Sequence, residues 1–174
     1  MRIIAGEYRS RKLKSVPGLE VRPTPDRLRE ALFNVLSSRI AGSVFVDAYA
    51  GSGAVGLEAL SRGAKRVILI ERKQASIEII RENVESLGVG KGAVSVVRGQ
   101  AAVLLANFPA DIAFIDPPYE LVAEYGLALT GVGATPCDLA IAQHTSRVTL
   151  DDEYGRLRKT RVLKQGDNSL SFYS

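Results

Sequence analysis

A glycine-rich run in the first third of the chain constrains the fold most strongly. The apolar residues 44–46 indicate a buried strand, and Asp47 and three glycines spaced as Gly51-x-Gly53-x-x-Gly56 follow it. The first two glycines permit a tight turn and close approach of the backbone, and the third lets a following helix lie close to the strand. The run therefore predicts a strand, a turn and a helix, the corner at which α/β proteins bind nucleotide-containing ligands.

The spacing within this corner helps to distinguish a dinucleotide ligand from S-adenosylmethionine. Glu71 ends the next predicted strand, 20 residues after Gly51, as in dinucleotide-binding proteins. In those proteins the first glycine usually follows the strand directly, whereas here Asp47 and three more residues intervene. A carboxylate there would repel pyrophosphate but suits S-adenosylmethionine, which has no phosphate and carries a cationic amine and sulfonium. We therefore expect S-adenosylmethionine, with Glu71 accepting from its ribose hydroxyls, and keep a nicotinamide enzyme as an alternative.

A second motif, Asp116-Pro117-Pro118-Tyr119, follows the apolar residues 112–115. The prolines remove two N–H donors and stiffen the turn, and the residue before a proline avoids helical dihedrals. Asp116 should therefore end its strand with its carboxylate in the cleft, where it and a turn carbonyl can accept from an aromatic exocyclic amine. Tyr119 offers a flat face for a flipped base. The motif predicts in-line methyl transfer to the amine of a nucleobase, without a metal.

Predicted strands and helices alternate through the core. Pro25, with Thr24 as N-cap, should begin the first helix, and Gly63 and Gly88 should end two later ones. The remaining predicted elements are a short helix at 101–106 and strands at 66–70, 94–98, 112–115 and 139–142.

The C-terminal residues depart from this alternation. Strands at 157–163 and 169–173 are separated by only five residues, too few for a crossover helix, and should pair antiparallel. The whole pattern predicts an α/β, Rossmann-like class I methyltransferase fold: a mostly parallel seven-stranded sheet ending in an antiparallel hairpin.

The length of 174 residues suits one domain with a short extension. We divide the chain into a basic N-terminal extension, residues 1–20, expected to form a β-hairpin, and a methyltransferase domain, residues 21–174.

The basic residues are concentrated in two segments. Residues 2–14 contain five basic residues and one acid, and residues 156–164 contain five basic residues and no acid, which favours a polyanionic partner. A single cysteine, Cys137, excludes an internal disulfide and a cysteine-based metal cluster. No apolar run approaches membrane length, and we expect a cytoplasmic protein.

Several segments, in order and at matching spacing, can be compared with known proteins. Besides the motif at Asp116 they are Arg2-Ile3-Ile4-Ala5-Gly6, Arg22-Pro23-Thr24, residues 27–34, residues 51–64 and Gly166-Asp167-Asn168. Together they resemble the bacterial RsmD family, whose members methylate N2 of a guanine in 16S ribosomal RNA. The resemblance covers nearly the whole chain. It implies ribosomal RNA as the partner, within the assembled or assembling small subunit, and we expect a monomer.

The resemblance also extends the set of candidate site residues. The cofactor would contact Asp47, Tyr49, Gly51, Ser52, Gly53, Glu71, Arg72, Gln100, Ala101 and Thr24. Catalysis would fall to Asp116, Pro117, Pro118 and Tyr119, and RNA binding to Arg22, Arg27, Arg9, Arg11 and Lys12. Gln100 stands where the family usually has an acidic residue that accepts from adenine, although a glutamine oxygen can also accept.

Two further alternatives stay open. One is a methyltransferase for another amine, such as adenine N6 in DNA or a protein glutamine amide, but DNA enzymes of this type usually carry a sizeable target-recognition domain. The other is a ribosome-binding relative without catalysis. Against it, Asp47, Glu71, Asp116 and Tyr119 are all present.

Overall fold

The computed structural model describes residues 1–16 and 25–174. Within these ranges, eight strands form one sheet with the order β3-β2-β1-β4-β5-β8-β7-β6. The strands are Val44–Asp47 (β1), Arg66–Glu71 (β2), Val94–Arg98 (β3), Ala110–Ile115 (β4), Cys137–Thr145 (β5), Glu153–Tyr154 (β6), Leu157–Gln165 (β7) and Asn168–Tyr173 (β8). The helices are Asp26–Val35 (α1), Ala54–Ser61 (α2), Gln74–Leu87 (α3), Ala101–Leu104 (α4) and Val122–Gly133 (α5), with a 3-10 turn at Leu105–Asn107.

The strand directions confirm the predicted Rossmann-like sheet. β1 to β5 are parallel to one another, whereas β6, β7 and β8 pair antiparallel with their neighbours. The eighth strand, β6, has only two residues and was not predicted. The hairpin between β7 and β8 turns on Gly166-Asp167 alone, two residues rather than five. Gly166 has a φ of 59°, a left-handed conformation that two-residue hairpin turns require and glycine tolerates.

Alternation along the strands divides the core into two layers. On β1, Phe45 packs with residues of α1, α2 and α3, and Val46 packs on the opposite face with residues of α4 and α5. Because successive side chains point to opposite faces, Asp47 shares the face of Phe45. The same reasoning places Glu71 after Leu69, and Asp116 after Phe114, on that face. The polar residues that end three strands therefore point to one side of the sheet.

Two helix predictions differ from the structure. α1 begins at Asp26 with Pro25 as its N-cap, one residue later than predicted, and the predicted cap Thr24 lies outside the described residues. α5 was missed, because Gly126, Gly131 and Gly133 lower its helix propensity. Its buried residues Tyr125, Ala128, Leu129 and Val132 nevertheless recur at helical spacing. Packing on the sheet outweighs the cost of the glycines.

The N-terminal residues 1–16 fold back on themselves and against the core. Arg2 and Lys12 form an isolated antiparallel bridge. The fully buried carboxylate of Glu58 in α2 accepts from the backbone N–H groups of Ile4 and Ala5 at 2.8 and 3.0 Å. A side chain at Gly6 would meet a backbone oxygen of α2 at 1.8 Å, so this close approach requires glycine. None of the helices in residues 1–16 and 25–174 has the length and apolar character that a membrane crossing needs.

Candidate cofactor and target-base site

A cavity of about 530 Å³ lies beyond the carboxyl ends of the strands. The sheet order reverses between β1 and β4, and ligands of open α/β sheets bind at such a point. Both sequence motifs contribute to this cavity. The predicted site residues that line it are Asp47, Tyr49, Gly51, Ser52, Glu71, Arg72, Gln100, Ala101, Asp116, Pro117, Pro118 and Tyr119.

The glycine-rich corner has the predicted strand, turn and helix. Gly51 and Gly53 have φ values of 55° and 80°, both left-handed. A side chain at Gly56 would lie 2.3 Å from a methyl carbon of Leu69, so the third glycine allows α2 to pack against β2. Gly53, also predicted for the cofactor site, is buried at the start of α2 and is not among the residues that line the cavity. Its contribution is to the turn.

Asp47 is the most deeply buried acid of the cavity lining, with 2% of its surface exposed. Its Oδ2 accepts from the backbone N–H of Gly56 at 3.0 Å. Burial raises the pKa of Asp47 to about 7; the bond from Gly56 opposes this rise, and the nearby charge of Glu71 adds to it. The site thus contains a carboxylate whose ionised form is poorly solvated, and a cationic ligand would stabilise that form.

Glu71 is held in place by backbone groups of two elements. Its Oε2 accepts from the N–H of Gly51 at 2.9 Å, and its Oε1 accepts from the N–H groups of Arg72 and Lys73, both at 2.8 Å. Lys73 is the N-cap of α3, so the carboxylate also satisfies donors at the start of that helix. A carboxylate has about four acceptor positions, and these bonds use three. Glu71 can therefore accept from one ribose hydroxyl without losing a backbone partner.

The end of β3 supplies the third part of this half of the cavity. The N–H of Gly99 donates to the carbonyl oxygen of Glu71 at 3.1 Å, which joins this loop to the end of β2. Gln100 is the N-cap residue of α4 and is exposed, whereas Ala101 is buried. Both line the cavity. The exposed amide of Gln100 has room to turn toward a base in the cavity.

The Asp116 motif closes the other half of the cavity. Asp116 follows β4 directly and is half-buried, and Pro117 is buried behind it. The hydroxyl of Tyr119 donates to Oδ1 of Asn168 at 2.8 Å. Asn168 begins β8, so the tyrosine is attached to the C-terminal hairpin as well as to its own turn. This bond fixes the position of the ring that was predicted to stack on a base.

Comparisons with known proteins agree with these observations. The family described as "Conserved hypothetical protein 95" matches residues 1–174. The chain belongs to this family, the RsmD family. It is 31% identical to YlbH of Bacillus subtilis over 186 residues, which cover 99% of this chain and 98% of YlbH. It is 40% identical to the ribosomal RNA small subunit methyltransferase D of Escherichia coli K12 over 119 residues, 68% of this chain and 60% of that relative.

A solved structure extends the match to the fold. The hypothetical protein TTHA0928 of Thermus thermophilus aligns with a TM-score of 0.82 and 32% identity, covering 99% of this chain and 98% of that one. The resemblance drawn from the motifs is therefore confirmed for the family and for the fold.

The other predicted site residues that the structure describes lie outside the cavity of this RsmD-family chain. Arg27 is exposed in the first turn of α1, and Arg9, Arg11 and Lys12 are exposed on the N-terminal segment. The Arg11 side chain donates to the carbonyl oxygen of Ser86 at the end of α3. Thr24 and Arg22 lie outside the described residues.

One hydrogen bond across the cavity was not predicted. The Tyr49 hydroxyl donates to Oε2 of Glu124 at 2.6 Å, and burial together with this bond raises the pKa of Tyr49. Glu124 lies in α5, so the bond connects the glycine-rich corner to the helix that follows the Asp116 motif. Because α5 was not predicted, this contact was not predicted either.

Three polar residues were also missed. Asn83 in α3 is buried, accepts from the N–H of Lys14 at 2.7 Å and donates to the carbonyl oxygen of Ser52 at 3.0 Å. It thereby joins the N-terminal segment to the glycine-rich turn. Asn168 was part of the family resemblance but had no assigned role. Gln143, at the end of β5, lines the cavity and is buried.

His144 and Cys137, the single residues of their kinds, have structural surroundings. The His144 ring nitrogens lie 2.9 Å from the carbonyl oxygen of Thr145 and 2.8 Å from Oγ of Ser171. Burial lowers the pKa of His144 and raises that of Cys137 to about 11. Across residues 1–16 and 25–174, no three His, Cys, Asp or Glu side chains are grouped so as to hold a metal ion.

Proposed function

We propose that this protein transfers a methyl group from S-adenosylmethionine to the exocyclic N2 amine of a guanine in small-subunit ribosomal RNA. One observation carries the proposal: the acidic, glycine-rich corner and the Asp116 motif line the same cavity. The first suits a cationic, phosphate-free cofactor and the second suits an aromatic amine. The class of RNA follows the name of the Escherichia coli relative, a ribosomal RNA small subunit methyltransferase.

The residues of the corner fit the cofactor. Asp47 has a raised pKa and would be stabilised as an anion by the cationic methionine amine. Glu71 is oriented by three backbone donors and has acceptor capacity left for a ribose hydroxyl. When bound, S-adenosylmethionine supplies an electrophilic methyl group and a good leaving group. Gln100 and Ala101 would bind its adenine.

The chain's own task in the transfer is to orient the amine. The amine lone pair is delocalised into the base, and acceptors that hold its N–H bonds make it available to the methyl carbon. The Asp116 carboxylate and a carbonyl of the proline turn serve as these acceptors. As the nitrogen gains positive charge, Asp116 stabilises it electrostatically. The methylated nitrogen then loses its extra proton to water after the transfer, so no strong base is needed.

The RNA would approach over two basic surfaces. Arg9, Arg11 and Lys12 are exposed on the N-terminal segment, and Arg27 is exposed on α1. With Arg22 they would bind phosphates and guide the target base toward Tyr119. We propose that the enzyme acts as a monomer in the cytoplasm, on the assembled or assembling small subunit, and that residues 1–20 form its basic extension and 21–174 its methyltransferase domain.

Two experiments test the proposal. S-adenosylhomocysteine should raise the melting temperature of the purified protein, as a ligand of the folded state must, whereas NAD and NADP should not. Nucleoside mass spectrometry should find N2-methylguanosine reduced in 16S ribosomal RNA from cells without the gene and restored by its return. Stabilisation by NAD alone would reassign the cofactor. Loss of N6-methyladenine from DNA, or of methylglutamine from a protein, would reassign the substrate.

A further inference from the structure

The cavity contains a buried polar group that the proposed mechanism does not use. Gln143 has 2% of its surface exposed and lines the cavity. Its Oε1 has no hydrogen-bond partner within residues 1–16 and 25–174. Buried amide oxygens are normally paired, and an unpaired one destabilises the folded protein. A group left in this state at a ligand site has an acceptor to offer to the ligand.

The position of Gln143 shows which ligand it can reach. In the register of β4 and β5, Ile115 lies opposite Ala142, so Asp116 and Gln143 are the next residues along neighbouring strands. Leu139 and Ile141 pack on the α1 to α3 side, and alternation puts the Gln143 side chain there, the side that Asp116 shares.

The sheet order separates Gln143 from the cofactor half of the cavity. β4 and β1 lie between β5 and β2, the strand that Glu71 ends. With neighbouring strands about 4.8 Å apart, Gln143 and Glu71 are separated by roughly 15 Å across the sheet. On its other side β5 pairs with β8, and Asn168, which holds Tyr119, lies opposite Thr145. Gln143 therefore lies between Asp116 and the residue that fixes the stacking ring.

We propose that Gln143 reads the edge of the target base beside the amine that is methylated. The inference rests on the proposed function. On guanine the group next to the N2 amine is N1–H, a donor, and the group beyond it is the O6 acceptor. With Asp116 accepting from N2, the Oε1 of Gln143 accepts from N1–H and its Nε2 donates to O6. Gln143 is thus a specificity residue that contacts the substrate.

The test compares variants that separate the acceptor from the volume of the side chain. Gln143→Met keeps a similar volume without the amide, and Gln143→Glu keeps acceptor oxygens. Gln165→Met is the matched control, because Gln165 also has a buried Oε1 without a hydrogen-bond partner in the described parts of the chain, but lies on β7 outside the cavity. The measurement is single-turnover methyl transfer to small ribosomal subunits lacking the modification, with S-adenosylhomocysteine affinity measured by calorimetry and folding by thermal melting.

We expect Gln143→Met to lose roughly 10- to 100-fold in transfer, the range for one good base contact, with cofactor affinity unchanged. Gln143→Glu keeps the acceptor for N1–H but loses the donor to O6, and should recover part of that loss. Gln165→Met should transfer like the wild type. Wild-type transfer by folded Gln143→Met, no recovery in Gln143→Glu, or an equal loss of cofactor affinity would each overturn the inference. A wild-type protein that methylates no guanine would instead refute the proposed function, so the two failures are distinct.

Discussion

The two halves of the cavity prepare their polar groups in opposite ways. On the cofactor side, made by Asp47, Gly51 and Glu71, both carboxylates are already bonded to backbone N–H groups of turns and helix starts. On the target side, made by Asp116, Tyr119, Gln143 and Asn168, the side chains come from a proline turn, two strands and a hairpin, and Gln143 Oε1 has no partner in the described residues.

The difference follows from what each half must distinguish. The cofactor is the same molecule in every turnover, so a rigid site oriented by the backbone lowers the cost of binding it. The target is one base among many that can be flipped, and groups paired only by the correct base reject the others. We therefore expect substitutions on the cofactor side to change cofactor affinity, and substitutions on the target side to change transfer.

The largest expected effect is on the target side, at Asp116. Asp116→Ala removes an acceptor that orients the amine and stabilises its developing charge. By analogy with the loss of one transition-state hydrogen bond, turnover should fall roughly 10²–10³-fold. Cofactor affinity should barely change. Asp116→Asn keeps an acceptor oxygen without the charge and should retain more activity than the alanine variant.

Single-turnover transfer and calorimetric binding of S-adenosylhomocysteine, measured in parallel, check this prediction. If folded Asp116→Ala transfers at the wild-type rate, the carboxylate has no part in the reaction. If it loses cofactor binding instead, Asp116 belongs to the cofactor side of the cavity and its assignment to the target side is wrong.

The second effect is on the cofactor side and depends on pH. The pKa of Asp47 is raised from 3.8 to about 7 in the fold, so the folded protein binds this proton more tightly than the unfolded chain. Asp47 therefore lowers the free energy of unfolding progressively as the pH rises from about 4 to about 7. Asp47→Asn, which keeps an acceptor for the N–H of Gly56, should melt on the order of 10 °C higher than wild type at pH 8, and at the same temperature near pH 4.

The same substitution should also weaken cofactor binding. An ionised Asp47 binds a cationic amine, so wild-type affinity for S-adenosylhomocysteine should increase as the pH rises through 7. Asp47→Asn should lack this increase and bind roughly 10- to 100-fold more weakly at pH 8, the loss of one charged hydrogen bond. Calorimetry at pH 6, 7 and 8 measures both. A pH dependence that persists in Asp47→Asn would assign it to another group.

A smaller effect tests the bond between Tyr119 and Asn168. Tyr119→Ala should cost about 1–3 kcal/mol of base stacking in productive transfer. Tyr119→Phe keeps the flat face but loses the bond to Asn168, and should cost about 0.5–1.5 kcal/mol. Asn168→Ala should cost a similar amount, and the double variant should lose little more than either. Additive losses in this double-mutant cycle would mean that the bond does not position the ring.

The sequence predicted the cofactor side better than the target side for a physical reason. The glycine-rich turn, Asp47 and Glu71 are local signals, because the glycines are required by left-handed φ values and close packing within one strand-turn-helix unit. Gln143 and Asn168 reach the target side through strand register and sheet order, which no local spacing encodes. α5 carried a helical spacing at Tyr125 and Val132, but its glycines concealed it.

The surroundings of a charge cluster are likewise not predictable from local sequence. Residues 156–164 contain five basic side chains and no acid, which suggested a free polyanion surface. In the fold Arg156 donates to the carbonyl oxygens of Thr135 and Cys137, and Lys159 pairs with Asp152 at 2.8 Å. Arg158 pairs with Glu153 at 2.9 Å. Asp152 and Glu153 lie just before the turn into β7, whereas Thr135 and Cys137 lie at or just before the start of β5.

The smallest predicted effect compares two arginines of β7 that differ in pairing. Arg161 is exposed and forms no ion pair among the residues that the structure describes, whereas Arg158 is paired with Glu153. If the strand binds RNA, Arg161→Ala should lower the slope of log affinity against log salt by roughly 0.7–0.9, the value for one phosphate contact. Arg158→Ala removes the same charge but frees Glu153, and should change the slope less. Filter-binding titrations over a range of salt concentrations measure both, with S-adenosylhomocysteine affinity as the control. Equal slopes in both variants and the wild type would mean that the RNA surface is limited to the N-terminal segment and α1.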